Sequence, residues 1–285
     1  MEGPAIQALA GDRLHLQHGP IDVVLRAWGA PAAVSDAYAA VTARFRTVLG
    51  ELVAELPELR KAMRERPRVE GAIARRMVAA CRPYRVFVTP MAAVAGAVAD
   101  ELLAAMTEAA PLDRAFVNDG GDIAVHLTEG ETLTVAVAAD FARGPVPALS
   151  GAVTLRAGDG IGGLATSGRQ GRSFSLGIAD SVTVLARDAA AADAAATLIA
   201  NAVDLPGHPS VRRAPANALD PDSDLGERPV TIAVGPLARA EIAAALAAGR
   251  AQAERFRAQG LIRDAALTFQ GETVALGPLA ALLPA

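Results

Sequence analysis

A doubled glycine between two apolar runs constrains the fold of this chain more than any other sequence feature. Residues 118–122 read Asn-Asp-Gly-Gly-Asp, after Ala-Phe-Val and before Ile-Ala-Val-His-Leu. Glycine adopts positive φ without steric cost, so Gly120 and Gly121 suit the tight turn of a β-hairpin. Because neither has a Cβ, another group can approach the backbone closely at this turn. The sequence therefore predicts a hairpin whose turn is surrounded by amide and carboxylate side chains.

Helical periodicity marks the region before this hairpin. A helix is predicted to begin at Pro31, because apolar residues recur every three or four positions on one face. These residues are Val34, Tyr38, Val41, Phe45, Val48 and Leu52. Pro57 is expected to end or kink the helix, since proline lacks a backbone N–H. A second helix is predicted over 69–81 and a third over 91–109, with Pro90 in its first turn.

Short apolar or alternating segments predict strands along the rest of the chain. They cover residues 13–17, 21–28, 85–88, 115–117, 123–127, 132–138, 151–156, 161–165, 178–187 and 230–234. Further helices are predicted from Ala189 to Val203, with Asp188 as the N-cap, and over 240–259. A last hairpin is predicted around Gly271. Strand pairs mixed with helices favour an α+β fold with antiparallel sheets over a parallel doubly wound sheet.

Composition excludes several classes of function. The 285 residues, 52% of them hydrophobic, suit one large domain or two fused smaller ones. No apolar run reaches the roughly 18 residues of a membrane span and no signal peptide is visible, so we expect no membrane association and a cytoplasmic protein. The net charge of −4 and the 4% aromatic content argue against nucleic-acid binding. Cys81 is predicted to be a small core residue. The alanine-rich helices could pack within the subunit or form a homo-oligomer.

Five short motifs occur in an order that is informative as a set. They are Thr-Pro-Met-Ala-Ala-Val-Ala-Gly at 89–96, Gly-Gly-Asp at 120–122, Thr-Ser-Gly at 166–168, Ser-Val-Thr-Val at 181–184 and Ala-Asp-Ala-x-x-Thr at 192–197. This ordered set resembles the ApbE family, the FAD:protein FMN transferases, over roughly residues 85–203. Each motif is weak alone, and their common order makes the resemblance specific. The first motif and the segment Leu-Thr-Phe-Gln-Gly-Glu at 267–272 resemble a short branch of ApbE-like proteins.

The resemblance implies a fold and a ligand. The fold would be a single ApbE-like domain over 1–285, built of two T-fold-like α+β halves with antiparallel sheets and packed helices. The ligand would be a flavin nucleotide, FAD or FMN, or a similar phosphate-bearing small molecule. The family transfers FMN from FAD to a threonine or serine hydroxyl of a target protein. The expected ligand-binding residues are Asn118, Gly120, Gly121, Asp122, Thr166, Ser167 and Gly168.

The resemblance also implies a magnesium site. Mg²⁺ would neutralise the phosphate oxygens of the ligand, and it prefers oxygen ligands. The family's Ala-Asp-Ala-x-x-Thr helix supplies two of them, which map to Asp193 and Thr197. Residues four apart on a helix project from one face, so they could share an ion. The alternative is an exposed carboxylate near a helix N-terminus and a threonine hydroxyl bonded to the backbone.

The chain departs from the family pattern in two places. The family's Ala-Lys-Gly corresponds to Ala95 followed directly by Gly96, without a lysine. The family's His-Ile-x-Asp-Pro-x-Thr-Gly segment is replaced by residues 169–179, which contain no histidine, proline or aspartate. A histidine could act as general base toward an acceptor hydroxyl, so no catalytic residue is assigned. Two other functions stay open: a non-catalytic ligand-binding module, and a T-fold-type enzyme acting on a purine or pterin.

Two further segments have alternative interpretations. Arg169 and Arg172 follow the Thr-Ser-Gly motif and could contact phosphate or lie in a solvated loop. The proline-rich segment 204–228 is predicted to be a long irregular loop. Its acidic residues could bind a cation or simply be solvated.

Overall fold

The computed structural model describes residues 3–140 and 148–277, which fold into two compact units. The first unit comprises Met1–Leu133, Leu155–Ala165 and Ala186–Ala194, and the second Thr134–Thr154, Thr166–Leu185 and Ala195–Ala285. In the described residues, antiparallel strands combine with six α-helices. The predicted α+β class with antiparallel sheets and packed helices is confirmed. That each half is T-fold-like stays a prediction.

The strands of the first unit are paired in chain order. They are β1 (Ala5–Leu9), β2 (Arg13–His18), β3 (Ile21–Trp28), β4 (Arg114–Asp119) and β5 (Asp122–Leu127), each antiparallel to the next. The start of β8 (Gly163–Ser167) continues the sheet beyond β5, with Leu164 opposite Ile123. In β3 every second residue is buried, as expected for a sheet with one covered face.

Three helices of the first unit contribute buried residues to its core. They are α1 (Pro31–Leu59), α2 (Ala72–Cys81) and α3 (Val94–Ala109), and 3₁₀ turns lie at Met63–Glu65 and Pro90–Ala93. α3 contacts β4, β5, α1 and α2. The segment Pro90–Ala109 is long and apolar enough to cross a membrane, but half of its apolar window is buried. Burial on that scale is typical of a core helix. Cys81 is fully buried, as predicted, and burial raises the pKa of its thiol.

The second unit contains three sets of paired antiparallel strands. β12 (Asp264–Phe269) pairs with β9 (Ser181–Ala186) and with β13 (Glu272–Ala275), and α6 (Arg239–Ala258) packs on β12 and β13. β6 (Thr132–Asp140) pairs with β7 (Ala148–Arg156), and β10 (Val211–Pro215) pairs with β11 (Pro229–Val234). The short α5 (Ala216–Leu219) follows β10. The part of α4 (Ala189–Ala202) from Ala195 onward also belongs to the second unit.

The structure departs from the local predictions at four places. Segment 204–228 is not irregular throughout, because it contains β10 and α5. Residues 85–88 form no strand, and the carbonyl of Val88 instead accepts the N–H of Met63 at 2.8 Å. α1 continues through Pro57 and ends two residues later at Leu59, so Pro57 does not itself end the helix. β1 was not predicted, because its sequence Ala-Ile-Gln-Ala-Leu lacks the strict alternation of apolar and polar residues that indicates a strand.

Candidate functional site

The doubled-glycine hairpin forms as the sequence predicts. β4 and β5 pair as far as Asp119 opposite Asp122, which leaves Gly120 and Gly121 as a two-residue turn. Their φ angles of 64° and 114° are the positive values that such hairpin turns favour. Asn118 Oδ1 accepts the N–H of Gly121 at 2.8 Å and so closes the turn. A Cβ added at Gly121 would meet no atom of the described residues within 4 Å. The backbone there is open to an approaching group.

Asp193 is a buried helix cap, not the exposed carboxylate of the alternative interpretation. It lies in α4 and is 9% exposed. Its Oδ2 accepts the N–H of Gly96 at 3.1 Å, and the N–H of Ala95 is a second donor. α3 begins at Val94 and has no side-chain cap from its own N-terminal segment. Asp193 therefore satisfies backbone donors at the start of α3 from a distant part of the chain.

Asp193 shares its surroundings with the carboxylates of the hairpin. Its pKa is raised well above the ordinary value of 3.8, first by burial and then by the nearby charges of Asp122 and Asp119. The two backbone N–H groups act in the opposite direction. Asp119 is itself buried, and Asp122 is half-buried at the start of β5. Buried carboxylates that repel one another favour the uptake of a proton or a cation. The first unit thus brings the glycine hairpin and α4 together around negative charge.

The remaining predicted site residues lie in the second unit. Thr166 Oγ1 is 2.9 Å from Thr183 Oγ1, so these hydroxyls form a hydrogen bond between neighbouring strands. Ser167 is half-buried at the end of β8. Thr197 is half-buried on α4, one helical turn beyond Asp193. Their predicted roles toward a ligand or a metal ion stay predictions.

Gly168 and Arg169 have structural partners inside the second unit. A Cβ at Gly168 would lie 2.2 Å from the carbonyl oxygen of Asp180, so close packing alone requires glycine there. Arg169 Nη2 donates to Asp180 Oδ1 at 2.6 Å, and the two side chains are only 24% and 12% exposed. Asp180 Oδ2 also accepts the N–H of Gln270 at 2.6 Å. The interpretation of Arg169 as a solvated loop residue is therefore wrong.

The protein groups near Asp193 suit a metal ion that binds together with a phosphate-bearing ligand better than a metal ion held by the protein alone. In residues 3–140 and 148–277, no group of three or more His, Cys, Asp or Glu side chains is arranged to hold a metal. This includes the acidic residues of segment 204–228. Mg²⁺ commonly binds one or two carboxylates and completes its shell with phosphate oxygens and water. A site with Asp193 and few other protein donors matches that mode.

Asp100 is an important residue of this region that sequence reasoning missed. It lies on α3, one turn after Gly96, and its Oδ1 and Oδ2 accept the N–H groups of Ala189 at 3.0 Å and Ala190 at 2.9 Å. Burial raises the pKa of Asp100 to about 6, and Asp188 adds to the rise, while the two N–H groups oppose it. The only sequence signal was an acidic residue interrupting an apolar helix.

Comparison with known proteins assigns the family. The profile of a family described as AbpE bacteria matches residues 6–275. The chain belongs to this family. A UPF0280 protein from Methanopyrus kandleri is 37% identical over 215 residues, which cover 74% of this chain and 83% of that protein. A UPF0280 protein from Methanothrix thermoacetophila is 44% identical over 125 residues, which cover 43% of this chain and 50% of that protein. The chain thus spans only about half the length of the latter relative. It is an ApbE-like protein that groups with UPF0280 proteins.

Solved structures of two ApbE proteins share the fold of this family member. The ApbE protein of Thermotoga maritima superposes with a TM-score of 0.52 at 12% identity and covers 99% of both chains. The flavinyl transferase ApbE of Pseudomonas stutzeri, in its apo form, gives a TM-score of 0.50 at 12% identity and covers 100% of this chain and 99% of its own. At this identity the likeness establishes the fold alone.

Proposed function

We propose that this ApbE-like protein binds a flavin nucleotide, FAD or FMN, through its phosphates at the doubled-glycine hairpin, together with Mg²⁺. The observation that carries the proposal is the position of buried Asp193 within the electrostatic reach of Asp122 and Asp119. The open backbone of Gly121 lies on the same hairpin as these two carboxylates and would admit the phosphates. The proposal rests on residues of the first unit.

The charge of this site supports the proposal that the ligand binds with a cation. Phosphates are anions, and three carboxylates would repel them in a buried, weakly screened environment. A divalent ion would supply positive charge to both the carboxylates and the phosphates. Asp193 would hold the ion. Binding should therefore require Mg²⁺ rather than merely be strengthened by it.

The proposal stops short of FMN transfer by the route of the family. A general base is needed to take the proton of an acceptor hydroxyl. The interval 169–179 offers only arginine, glutamine and serine as polar side chains. In the structure, Arg169 is already paired with Asp180. The fold neighbour from Pseudomonas stutzeri is named a flavinyl transferase, which supports a flavin as ligand without carrying the reaction to this chain.

Thermal unfolding with FAD, with and without Mg²⁺, tests the binding. FAD at about 100 times its Kd should stabilise the native state by about 2.7 kcal/mol, which raises Tm by a few degrees, and only when Mg²⁺ is present. Asp193→Asn should abolish the Mg²⁺-dependent rise. Asp36→Asn, which makes the same charge change on the exposed surface of α1, should leave it intact. A wild-type Tm that neither FAD nor FMN raises would contradict the flavin assignment.

A denaturing gel tests the absence of transfer. The protein is incubated with FAD, Mg²⁺ and an acceptor protein that exposes threonine and serine hydroxyls, and the gel is inspected for flavin fluorescence. We expect no fluorescent band, because no base is placed in the interval 169–179. A covalently labelled acceptor would show that the chain is a transferase and that another group replaces the missing histidine.

A further inference from the structure

The backbone around the start of α4 packs so closely that three neighbouring positions must be glycine. A Cβ at Gly96 of α3 would lie 2.3 Å from the carbonyl oxygen of Ala189. A Cβ at Gly163 of β8 would lie 2.2 Å from the backbone nitrogen of Ala189, and one at Gly162 would lie 2.3 Å from the carbonyl oxygen of Arg187. Contacts this short exclude any side chain, so backbone packs directly on backbone. The first turn of α4 therefore has one position in the first unit.

Two carboxylates accept the backbone N–H groups of the first turn of α4, one from the residue before the helix and one from α3. Asp188 precedes α4 and accepts the N–H of Ala191 at 2.7 Å, as a local N-cap. Asp100 reaches across from α3 and accepts the N–H groups of Ala189 and Ala190. All three of these donors at the helix start are thus satisfied within the protein. The N-terminus of α4 is consequently not where a phosphate would find free backbone donors.

The two helices cap each other. Asp193 of α4 accepts the N–H groups at the start of α3, while Asp100 of α3 accepts those at the start of α4. Gly96 contacts α4 in two ways: its N–H donates to Asp193, and its backbone lies against Ala189. A shift of α4 along α3 would therefore break both sets of hydrogen bonds together. The orientation of the Asp193 carboxylate depends on the docking of the helices.

We infer that Asp100 is a positioning residue for Asp193. By fixing the first turn of α4 on α3, it fixes the direction in which Asp193 faces the hairpin carboxylates. Groups one step removed from a binding site commonly set its affinity in this way. For its effect on ligand binding, the inference rests on the proposed function. For the docking itself, it rests on the hydrogen bonds and backbone contacts alone.

Hydrogen exchange of Asp100→Asn tests the docking without any ligand. The asparagine amide offers one acceptor oxygen and places an NH₂ group against a second N–H donor. Exchange at the amides of Ala95 and Gly96, which Asp193 protects, should accelerate about tenfold, the scale of one lost cap. Asp188→Asn is the matched control, because asparagine serves equally well as a local N-cap, and exchange at Ala95 and Gly96 should stay as in the wild type. Asp100→Glu keeps both oxygens, so its acceleration should be smaller than that of Asp100→Asn.

Binding of FAD with Mg²⁺ to the same variants gives the second readout. We expect Asp100→Asn to weaken the Kd about tenfold and Asp188→Asn to leave it unchanged. Unchanged exchange at Ala95 and Gly96 in Asp100→Asn would overturn the inference, whether or not FAD binds. Accelerated exchange with an unchanged Kd would overturn the link from docking to the ligand. Accelerated exchange in a protein whose wild type does not bind FAD would support the positioning of Asp193 and contradict the flavin assignment.

Discussion

Each of the two units contains a helix, a strand, a glycine-containing turn and a second strand, in that order. The units differ in how the charge of the aspartate next to this turn is balanced. In the second unit the turn after α6 and β12 contains Gln270 and Gly271, both at positive φ. The N–H of Gln270 bonds to Asp180, whose other oxygen is paired with Arg169. That carboxylate is neutralised by a basic side chain and a backbone donor.

In the first unit the corresponding turn after α3 and β4 faces a carboxylate without such compensation. The largest influences on the pKa of Asp193 are burial, two other carboxylates and two backbone N–H groups, and no basic side chain of the described residues is among these. Ionising a buried carboxylate under these conditions costs free energy, and such arrangements cluster at functional sites. The comparison teaches that two glycine turns of similar geometry can adjoin carboxylates whose charge is balanced in different ways.

The largest expected difference between the units comes from a glycine in each helix. Gly96→Ala in α3 would force a Cβ onto the backbone of Ala189, whereas Gly249→Ala in α6 would meet the side chains of Val203 and Leu267. Side chains can rotate away and backbone cannot. We therefore expect Gly96→Ala to lower the free energy of unfolding by about 3 kcal/mol or more, and Gly249→Ala by about 1 kcal/mol, in urea titrations. A larger loss for Gly249→Ala would contradict the backbone contact between α3 and α4.

Local signals account for the parts of the fold that the sequence predicted well. The glycine hairpin is encoded within ten residues, and the cap that Asp188 provides lies three residues from its donor. The periodic face of α1 is likewise local, and its members Val41, Phe45 and Val48 are all buried. In each case the residue and its partner lie close together in the chain, so spacing alone specifies the contact.

Long-range pairing explains what the sequence did not predict. Asp193 and Gly96 are 97 residues apart, and Asp100 and Ala189 are 89 apart. No periodicity indicates which carboxylate caps which distant helix, so Asp100 could be read only as a break in an apolar run. The placement of Arg169 failed for a similar reason, because its partner Asp180 lies beyond a segment without regular structure.

The next comparison makes the same substitution at both aspartates. Asp180→Asn leaves the guanidinium of Arg169 without its counter-charge in a mostly buried position, so it should cost about 2 kcal/mol of unfolding free energy. Asp193→Asn removes a charge that its surroundings disfavour, so near neutral pH its net cost should stay below about 1 kcal/mol. Urea unfolding of both variants measures the difference. The reverse order would show that Asp193 has a compensating partner.

The pH dependence of Asp193→Asn follows from the same charge balance. A raised pKa means that the native state binds this proton more tightly than the unfolded chain does. The stability contributed by Asp193 is therefore fully present below its ordinary pKa of 3.8 and is lost as pH rises toward the native pKa. The wild type should lose stability relative to Asp193→Asn from about pH 4 upward. Asp100, whose pKa is about 6, contributes the same trend to both proteins and cancels in the difference.

The smallest expected effect comes from removing one side chain from each of the two turns. Asn118 Oδ1 accepts the N–H of Gly121 at 2.8 Å, and the amide of Gln270 donates to the carbonyl of Gly235 at 2.8 Å. Each bond joins neutral groups, so Asn118→Ala should cost about 1 kcal/mol of unfolding free energy. Gln270→Ala should cost about 1–2 kcal/mol, because its Oε1 also accepts the N–H of Leu237 at 3.3 Å. Only Asn118→Ala should also weaken the Mg²⁺-dependent stabilisation by FAD, because only its turn adjoins Asp119 and Asp122, whose charges raise the pKa of Asp193. Equal FAD stabilisation of the two variants would mean that the phosphates do not reach the Gly120–Gly121 turn, even if the protein binds a flavin elsewhere.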